Sequence, residues 1–253
     1  MFELIILSII QGITEFIPVS SSAHLILASD YLYINKNNLT LDVSLHIGSF
    51  LAIIFYFTKD LKEFLNSKET IIKIFISSIP ITIVGFLLIK LNIINYFRTY
   101  TVIGYSTIIF GVLLYISDLN SNNSKKLETD FTYKSAISIG LFQILSLIPG
   151  VSRSGITLTA ARYLNYNLID SAKLSFLTSV PVLFYASGYN LIKIYKEKNL
   201  DISILNILGI LLSFIFSYLT IRFFLKFLKN FNLNIFVIYR IILGIIILNF
   251  LNG

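Results

Sequence analysis

Long apolar runs separated by short charged loops make up almost the whole chain, and the elements this pattern predicts are membrane-crossing helices. Uncharged stretches cover Thr99–Ser117, Ser135–Ser152, Leu174–Ile192 and Ile202–Ile221. They are 18 to 20 residues long, close to the roughly 20 that a helix needs to cross a bilayer. Val43–Thr58 and Ile74–Ile89 are shorter, with flanking charges placed to sit at the interface, and Ile241–Gly253 completes the set if Arg240 snorkels or faces the interior. Two other apolar stretches are interrupted by polar islands. The first reads Gln11-Gly-Ile-Thr-Glu-Phe-Ile-Pro-Val-Ser-Ser-Ser-Ala-His24 and the second Gln143-Ile-Leu-Ser-Leu-Ile-Pro-Gly-Val-Ser-Arg-Ser-Gly155. Each carries a proline, serines and an ionisable group into surroundings where an unpaired polar group costs several kcal/mol. Such residues are expected to line a protected cavity, and their similar lettering suggests one site built from both halves.

The runs fall into two matching sets. Residues 1–30 form a stretch broken at Pro18, followed by runs near 43–58, 74–89 and 99–117. Residues 131–168 form a second stretch broken around Pro149, followed by runs near 174–192, 202–221 and 235–251. The pattern predicts an all-α polytopic membrane protein, one integral membrane domain over 1–253. Repeat one spans about 1–117, a polar linker 118–130, and repeat two about 131–253. Residues 2–30 are too short for two full crossings, and Pro18 with its serines disfavours one smooth helix. Each broken stretch is therefore expected to be a re-entrant helical hairpin. One hairpin plus three transmembrane helices makes an odd number of crossings per half, so the halves are expected to have inverted topology, a plan common among transporters.

Loop charges set the orientation. Lys59, Lys62, Lys68, Lys73, Lys125, Lys126, Lys134, Arg162, Lys173, Arg222, Lys226 and Lys229 fall on one side, against Lys36, Lys90, Arg98, Lys193, Lys196 and Lys198 on the other. The larger set is expected in the cytoplasm, with both termini and the open side of the first hairpin facing outward. A composition of 56% hydrophobic and 13% charged residues agrees with a membrane protein, as does a mean hydropathy of +0.82. The net charge of +7 resides in the short loops, so topology accounts for it and nucleic acid is not an expected partner. The absence of cysteine excludes disulfides and thiolate metal sites. Glu3, in place of a basic opening segment, does not read as the start of a cleavable signal.

Within the first island, Glu15 can hold a divalent cation, act as a base, pair with Arg153, or simply cap backbone N–H groups at a hairpin tip. Gln11, four residues earlier, shares its helix face and is either a second oxygen ligand or a helix–helix hydrogen bond. Ser20, Ser21 and Ser22 precede His24, and a hydroxyl near an imidazole is the elementary activated nucleophile. Serines also cap helices and pack membrane contacts, so at least two of the three are expected to be structural. His46 begins the next span, where packing or an interfacial hydrogen bond is the expected role. In the second island, Gly150 and Gly155 flank Ser152, Arg153 and Ser154, a loop whose N–H groups can converge on an anion. The Arg153 guanidinium matches phosphate oxygens, with a salt bridge to Glu15 or Asp42 as its alternative. Carboxylate, hydroxyl, imidazole and guanidinium in a membrane cavity fit phosphate-ester chemistry on a lipid. Pro80 and Pro181 are expected only to kink helices.

Gln11-Gly-x-Thr-Glu-Phe-x-Pro-x-Ser-Ser-x-x-His24 and Pro149-Gly-x-Ser-Arg-Ser-Gly155 closely resemble the two signatures of the undecaprenyl-diphosphate phosphatase family, also known as bacitracin-resistance proteins. Asp42-Val-x-Leu-His-x-Gly48 and Gln143 match its flanking pattern, and the likeness spans essentially the whole chain. The resemblance implies removal of the terminal phosphate from undecaprenyl diphosphate, which recycles the lipid carrier for cell-wall synthesis. It also implies inverted repeats, a bacterial inner-membrane location, a site open to the periplasmic face and a divalent cation (Mg2+ or Ca2+). By motif position, Glu15 is the essential acid, Ser21 the nucleophile, His24 a proton-transfer partner and Arg153 the diphosphate ligand. Ser20, Ser22, Ser152, Ser154 and Gly150 are supporting substrate contacts, and Glu15 with Gln11 faces the metal. Glutamate is frequent in the family where this chain has Gln11, and glycine where it has Ala23. The chain has no histidine after His46, which excludes the phosphohistidine route of a different phosphatase superfamily and leaves a serine or an activated water as nucleophile. The expected partners are the lipid substrate and membrane lipids, with a homodimer left open. A transporter or flippase of polyprenyl phosphates is the alternative reading, and an intramembrane serine protease a weaker third.

Overall fold

Apolar side chains at nearly every turn, relieved by stripes of glycine and serine, give a wholly helical fold. The computed structural model describes residues 2–31, 39–59, 68–119, 124–196 and 204–250. Among the described residues the first half comprises α1 (Phe2–Thr14), α2 (Ser21–Tyr31), α3 (Leu39–Tyr56), α4 (Lys68–Lys90) and α5 (Tyr100–Asp118). The second comprises α6 (Tyr133–Ile144), α7 (Arg153–Tyr163), α8 (Leu168–Lys196), α9 (Ile204–Phe227) and α10 (Asn234–Phe250). Four of these, α4, α5, α8 and α9, are long and apolar enough to cross a membrane. The fold is that of a polytopic membrane protein. Spans expected at 43–58 and 235–251 correspond to α3 and α10, apolar helices of 18 and 17 residues. Lys36, Lys62, Lys198 and the middle of the 118–130 linker lie outside the described residues.

The distribution of side chains is inverted relative to a water-soluble bundle. Phe55, Ile83, Ile109 and Phe223 point outward, whereas Ser49, Ser77, Ser117, Ser171, Ser213 and Ser217 are fully buried. Lipid tails are as apolar as leucine, so close backbone approach and interhelical hydrogen bonds hold such helices together. Helix α9 shows how. Its Gly209, Ser213 and Ser217 recur at four-residue spacing and so share one face. Ser49 of α3 shares hydrogen bonds with Ser213 (3.2 Å) and Ser217 (2.9 Å), and Ser213 Oγ donates to Leu45 O at 2.6 Å. A Cβ on Gly48 would stand 2.4 Å from Ile210 O, and one on Gly12 of α1 would stand 2.5 Å from Phe216 Cβ. Helix α9 therefore clasps α1 and α3 side by side, which sets what these two helices can present to each other.

Across the two halves, α6 lies on α4. A Cβ on Gly140 would meet Ser77 O at 2.6 Å. Gln143 Nε2 donates to Ser77 O at 3.1 Å, next to the carbonyl that Pro80 leaves without its helical donor. Ser78 donates to Thr178 O of α8, the helix that holds Pro181. Helices α5 and α10 cross where Gly104 and Gly244 meet, with Gly244 Cβ 2.9 Å from Gly104 O if built.

Helices α1 and α2 are separated by the break at residues 15–20, and α6 and α7 by residues 145–152. At 13 and 11 residues, α1 and α2 reach about 20 and 16 Å, well short of the roughly 30 Å hydrocarbon layer. The corners match in detail: Ser20 (φ 76°) and Ser152 (φ 70°) both take the left-handed conformation. Ser20 Oγ accepts from Ala23 N at 3.4 Å and Ser152 Oγ from Gly155 N at 3.1 Å, each capping the helix that follows.

Arg162, placed by its sequence neighbours among the loop charges, is in fact internal at 8% exposure. Its Nη2 pairs with Asp118 Oδ1 at 3.0 Å and its Nη1 donates to Tyr166 O at 3.0 Å. Asp118 also accepts from Leu233 N, so this pair ties α5, α7 and the start of α10 together.

Candidate active site

The two islands meet. Glu15 stands in the first break, its backbone N–H still bonded to Gln11 O at 3.0 Å as a last helical turn. Its side chain is buried, and both carboxylate oxygens take donors. Ser21 Oγ donates to Oε2 at 2.7 Å, Gln11 Nε2 lies 3.3 Å from the same oxygen, and Arg153 Nη2 reaches Oε1 at 3.0 Å. Glu15 is thus joined to its own helix, to the first residue of α2 and to the first residue of α7. Arg153 pairs with Glu15 rather than Asp42, and its Nη1 contacts Ser175 O at 3.4 Å. These contacts occupy two of its five N–H donors. Arg153, Ser21 and His24 retain partial exposure and Ser22 is exposed, while Gln11, Glu15, Ser20, Ser152 and Ser154 are buried.

The remaining island serines are engaged in building the corners. Gly150 N donates to Ser20 Oγ at 3.2 Å across the two islands, and Ser20 Oγ lies 3.2 Å from Ser22 Oγ. Ser154 Oγ donates to Ile17 O at 2.9 Å, and Ser152 Oγ lies 3.2 Å from Ser154 Oγ. Of the groups read from sequence as substrate contacts, Ser20, Ser154 and Gly150 therefore stitch one corner to the other, and Ser152 builds its own corner. Gly150 sits at φ 95°, where a Cβ would stand 2.1 Å from Ser106 Oγ and 2.6 Å from Ile103 O. Gly150→Ala is expected to destabilise the protein by about 2–5 kcal/mol, combining left-handed strain with overpacking. An unchanged thermal midpoint in detergent would refute this.

His24 is turned away from Ser21. Its Nδ1 is 2.7 Å from Ser20 O and its Nε2 2.5 Å from Tyr239 Oη, with the two rings stacked at 5.7 Å. A carbonyl only accepts, so Nδ1 carries the proton and Nε2 receives the tyrosine hydroxyl. Among the described contacts, the group touching Ser21 is Glu15.

Arg240 is the residue the island motifs did not contain. It is fully buried in α10. Its Nε donates to Thr107 O (3.2 Å), Nη1 to Pro18 O (3.3 Å), and Nη2 to Gly150 O (2.9 Å) and Val151 O (3.0 Å). One guanidinium thereby collects carbonyls from both corners. The sequence signal was its position in an apolar run, where a charge facing the interior is the informative case. Tyr239, one of 15 tyrosines, carried no such signal.

A divalent cation at Glu15 and Gln11 would meet one carboxylate and one amide oxygen. Among the described residues no three His, Asp or Glu come together, and Gln11 Oε1 is buried without a hydrogen-bond partner. This donor set suits a hard cation that keeps waters and shares phosphate oxygens, and does not suit an ion caged by protein alone. An apolar groove of about 380 Å³ between α1, α9 and α10, lined by Ile13, Ile17, Phe216, Phe223, Phe227 and others, holds none of these polar groups.

Fold and site together define a polytopic membrane protein with a buried carboxylate–guanidinium–hydroxyl cluster at the junction of two broken helices. A family model described as "Bacitracin resistance protein BacA" matches residues 4–246, and the chain belongs to that family. It is 46% identical over 246 residues to an undecaprenyl-diphosphatase of Pelagibacter ubique (strain HTCC1062), covering 97% of this chain and 95% of that one. It is 40% identical to the undecaprenyl-diphosphatase of Campylobacter concisus (strain 13826), covering 97% of each chain. To that of Aliivibrio salmonicida (strain LFI1238) it is 39% identical, covering 96% of this chain and 95% of that one.

Proposed function

We propose that the protein is an undecaprenyl-diphosphate phosphatase, hydrolysing undecaprenyl diphosphate to undecaprenyl phosphate and inorganic phosphate. In doing so it recycles the lipid carrier for cell-wall synthesis and confers bacitracin resistance. The observation that carries this reading is the Ser21–Glu15–Arg153 cluster, assembled from two islands in a family whose curated relatives bear that enzyme's name. The lipid's head group meets the cluster while its tail stays in the bilayer.

Ser21 Oγ attacks the terminal phosphorus as its proton passes to Glu15 Oε2, the acceptor already 2.7 Å away. The new bond is Oγ–P, and the bond that breaks joins that phosphorus to the bridging oxygen, which leaves on undecaprenyl phosphate. Glu15 hands the Ser21 proton to the departing oxygen and is again a carboxylate when water attacks the phosphoserine. It takes the water's proton and returns it to Ser21 Oγ as the Oγ–P bond breaks and inorganic phosphate leaves. Arg153 opens α7, so its guanidinium and that helix's N-terminus both favour the developing phosphoryl charge. Glu15 and Gln11 are the residues that would hold a Mg2+ or Ca2+ ion, which would supply further charge neutralisation when bound. His24 orders the start of α2 through Ser20 O and Tyr239.

The architecture behind this site is an inverted repeat, α1–α5 with α6–α10, each beginning with a re-entrant hairpin. Its supports are the short, broken first pair of helices in each half and the matched left-handed corner serines. Gln11 and Gln143 each stand nine residues before those serines. The larger set of basic loops lies in the cytoplasm of a bacterial inner membrane, and the hairpin carrying Glu15 enters from the periplasmic side.

The test is phosphate release from undecaprenyl diphosphate by detergent-purified protein, with Mg2+ or Ca2+ and with chelator. Cation-dependent release is expected. A folded protein that binds the lipid and releases no phosphate would instead point to a carrier of phosphorylated polyprenols.

A further inference from the structure

We propose that His46, outside both islands, is a positioning residue of this site: it holds Gln11 so that the amide nitrogen supports Glu15 and the amide oxygen is presented to the ligand side. Its catalytic consequence rests on the phosphatase reading, whereas the hydrogen-bond arrangement itself does not.

Gln11 Nε2 lies 3.0 Å from His46 Nδ1 and 3.3 Å from Glu15 Oε2. An amide NH2 only donates, and its two hydrogens meet two acceptors. His46 Nδ1 is therefore the lone-pair nitrogen, and the ring proton sits on Nε2. Turning the amide over would set Oε1 against a carboxylate oxygen, so Glu15 decides its orientation. With Nε2 committed, Oε1 points elsewhere. It is buried without a hydrogen-bond partner, on a side chain that is itself 0% exposed. A buried acceptor with no donor is costly and calls for an explanation. A cation or a protonated ligand oxygen beside Glu15 supplies one.

The fold makes this arrangement obligatory. Gln11 belongs to α1 and His46 to α3, helices brought together only because Gly12 and Gly48 let both lie close on α9. The residue after Gly48, Ser49, is pinned to Ser213 and Ser217, so the register that points His46 at Gln11 is locked. The chain's two histidines therefore have opposite tautomers and different duties. His24 carries its proton on Nδ1, facing Ser20 O, whereas His46 has Nδ1 bare, facing Gln11.

The test compares His46→Gln, whose amide oxygen can accept from Gln11, with His46→Leu, which cannot. His46→Leu is expected to lower kcat about 10–100-fold, the usual loss on removing a residue that orients a ligand-bearing side chain. His46→Gln should restore most of the activity. In a Gln11→Leu background, His46→Leu should have no further effect. Nitrogen-15 NMR of histidine-labelled wild-type protein reads the same arrangement without any turnover: one ring should be protonated at Nδ1 and the other at Nε2, and Gln11→Leu should shift only the second. Two rings of one tautomer, or additive losses in the double variant, would overturn the proposal. Absence of phosphate release from the wild type would remove the phosphatase reading and leave the tautomer assignment by NMR intact.

Discussion

Glu15→Gln should abolish nearly all phosphate release, lowering kcat by about 10²–10⁴-fold, the range for removing a proton acceptor positioned at its donor. Arg153→Met should cost about 10²–10³-fold, as expected for a group that meets developing charge. Each single change also leaves the other member of a buried ion pair alone, because the two side chains are only 6% and 11% exposed. Breaking such a pair destabilises by about 3–5 kcal/mol, so lost activity alone would be ambiguous. The double variant Glu15→Gln, Arg153→Met separates the two effects. It carries no uncompensated charge and should regain most of the thermal stability lost by either single variant, yet no activity. A double variant that is both stable and active would reduce the pair to a structural bridge and take the chemistry out of Glu15.

Arg240→Met is the second large effect, and it acts on architecture. Arg240 donates to carbonyls of Pro18, Gly150, Val151 and Thr107, which belong to both corners and to α5. Methionine fills much of the same volume but donates nothing. Buried carbonyls left without donors cost about 1–3 kcal/mol each, partly offset by no longer desolvating a charge. The expected net loss is on the order of 3 kcal/mol, read as a fall in the thermal midpoint. Arg240→Lys should not rescue it, since one ammonium cannot span acceptors laid out for a planar fork. Phosphate release should fall as well, because the guanidinium sets the distance between the helix ends that carry Ser21 and Arg153. Retention of both stability and activity in Arg240→Met would show that the corners are held by their serines alone.

The polar islands announced the candidate site because hydrocarbon makes any polar group conspicuous: Glu15, Ser21 and Arg153 stand out against the runs around them, and the structure brings these three together. The same contrast drew attention to Ser20, Ser154 and Gly150, which join corner to corner, and to Ser152, which caps α7 within its own corner. Sequence could not divide ligand contacts from corner contacts, because hydroxyls and glycines serve both purposes and only their partners tell them apart. Arg162 was misplaced for a related reason. Its sequence neighbourhood resembles a loop, but Asp118, 44 residues earlier, draws it inside.

Element type, the membrane environment and the polar groups of the candidate site were all properties of the sequence. Each follows from local composition: the length of apolar runs, the breaks at Pro18 and Pro149, and charges where none should be free. The pairings were decided by the tertiary structure. Which acceptor Arg153 meets, which way His24 turns, that His46 reaches Gln11, and that Arg240 gathers both corners all depend on contacts between residues 35 to 222 positions apart. Helices in lipid pack through small residues such as Gly12, Gly48 and Ser213, whose pattern permits many neighbours. Only the assembled bundle, where every buried donor must find its acceptor, selects one of them.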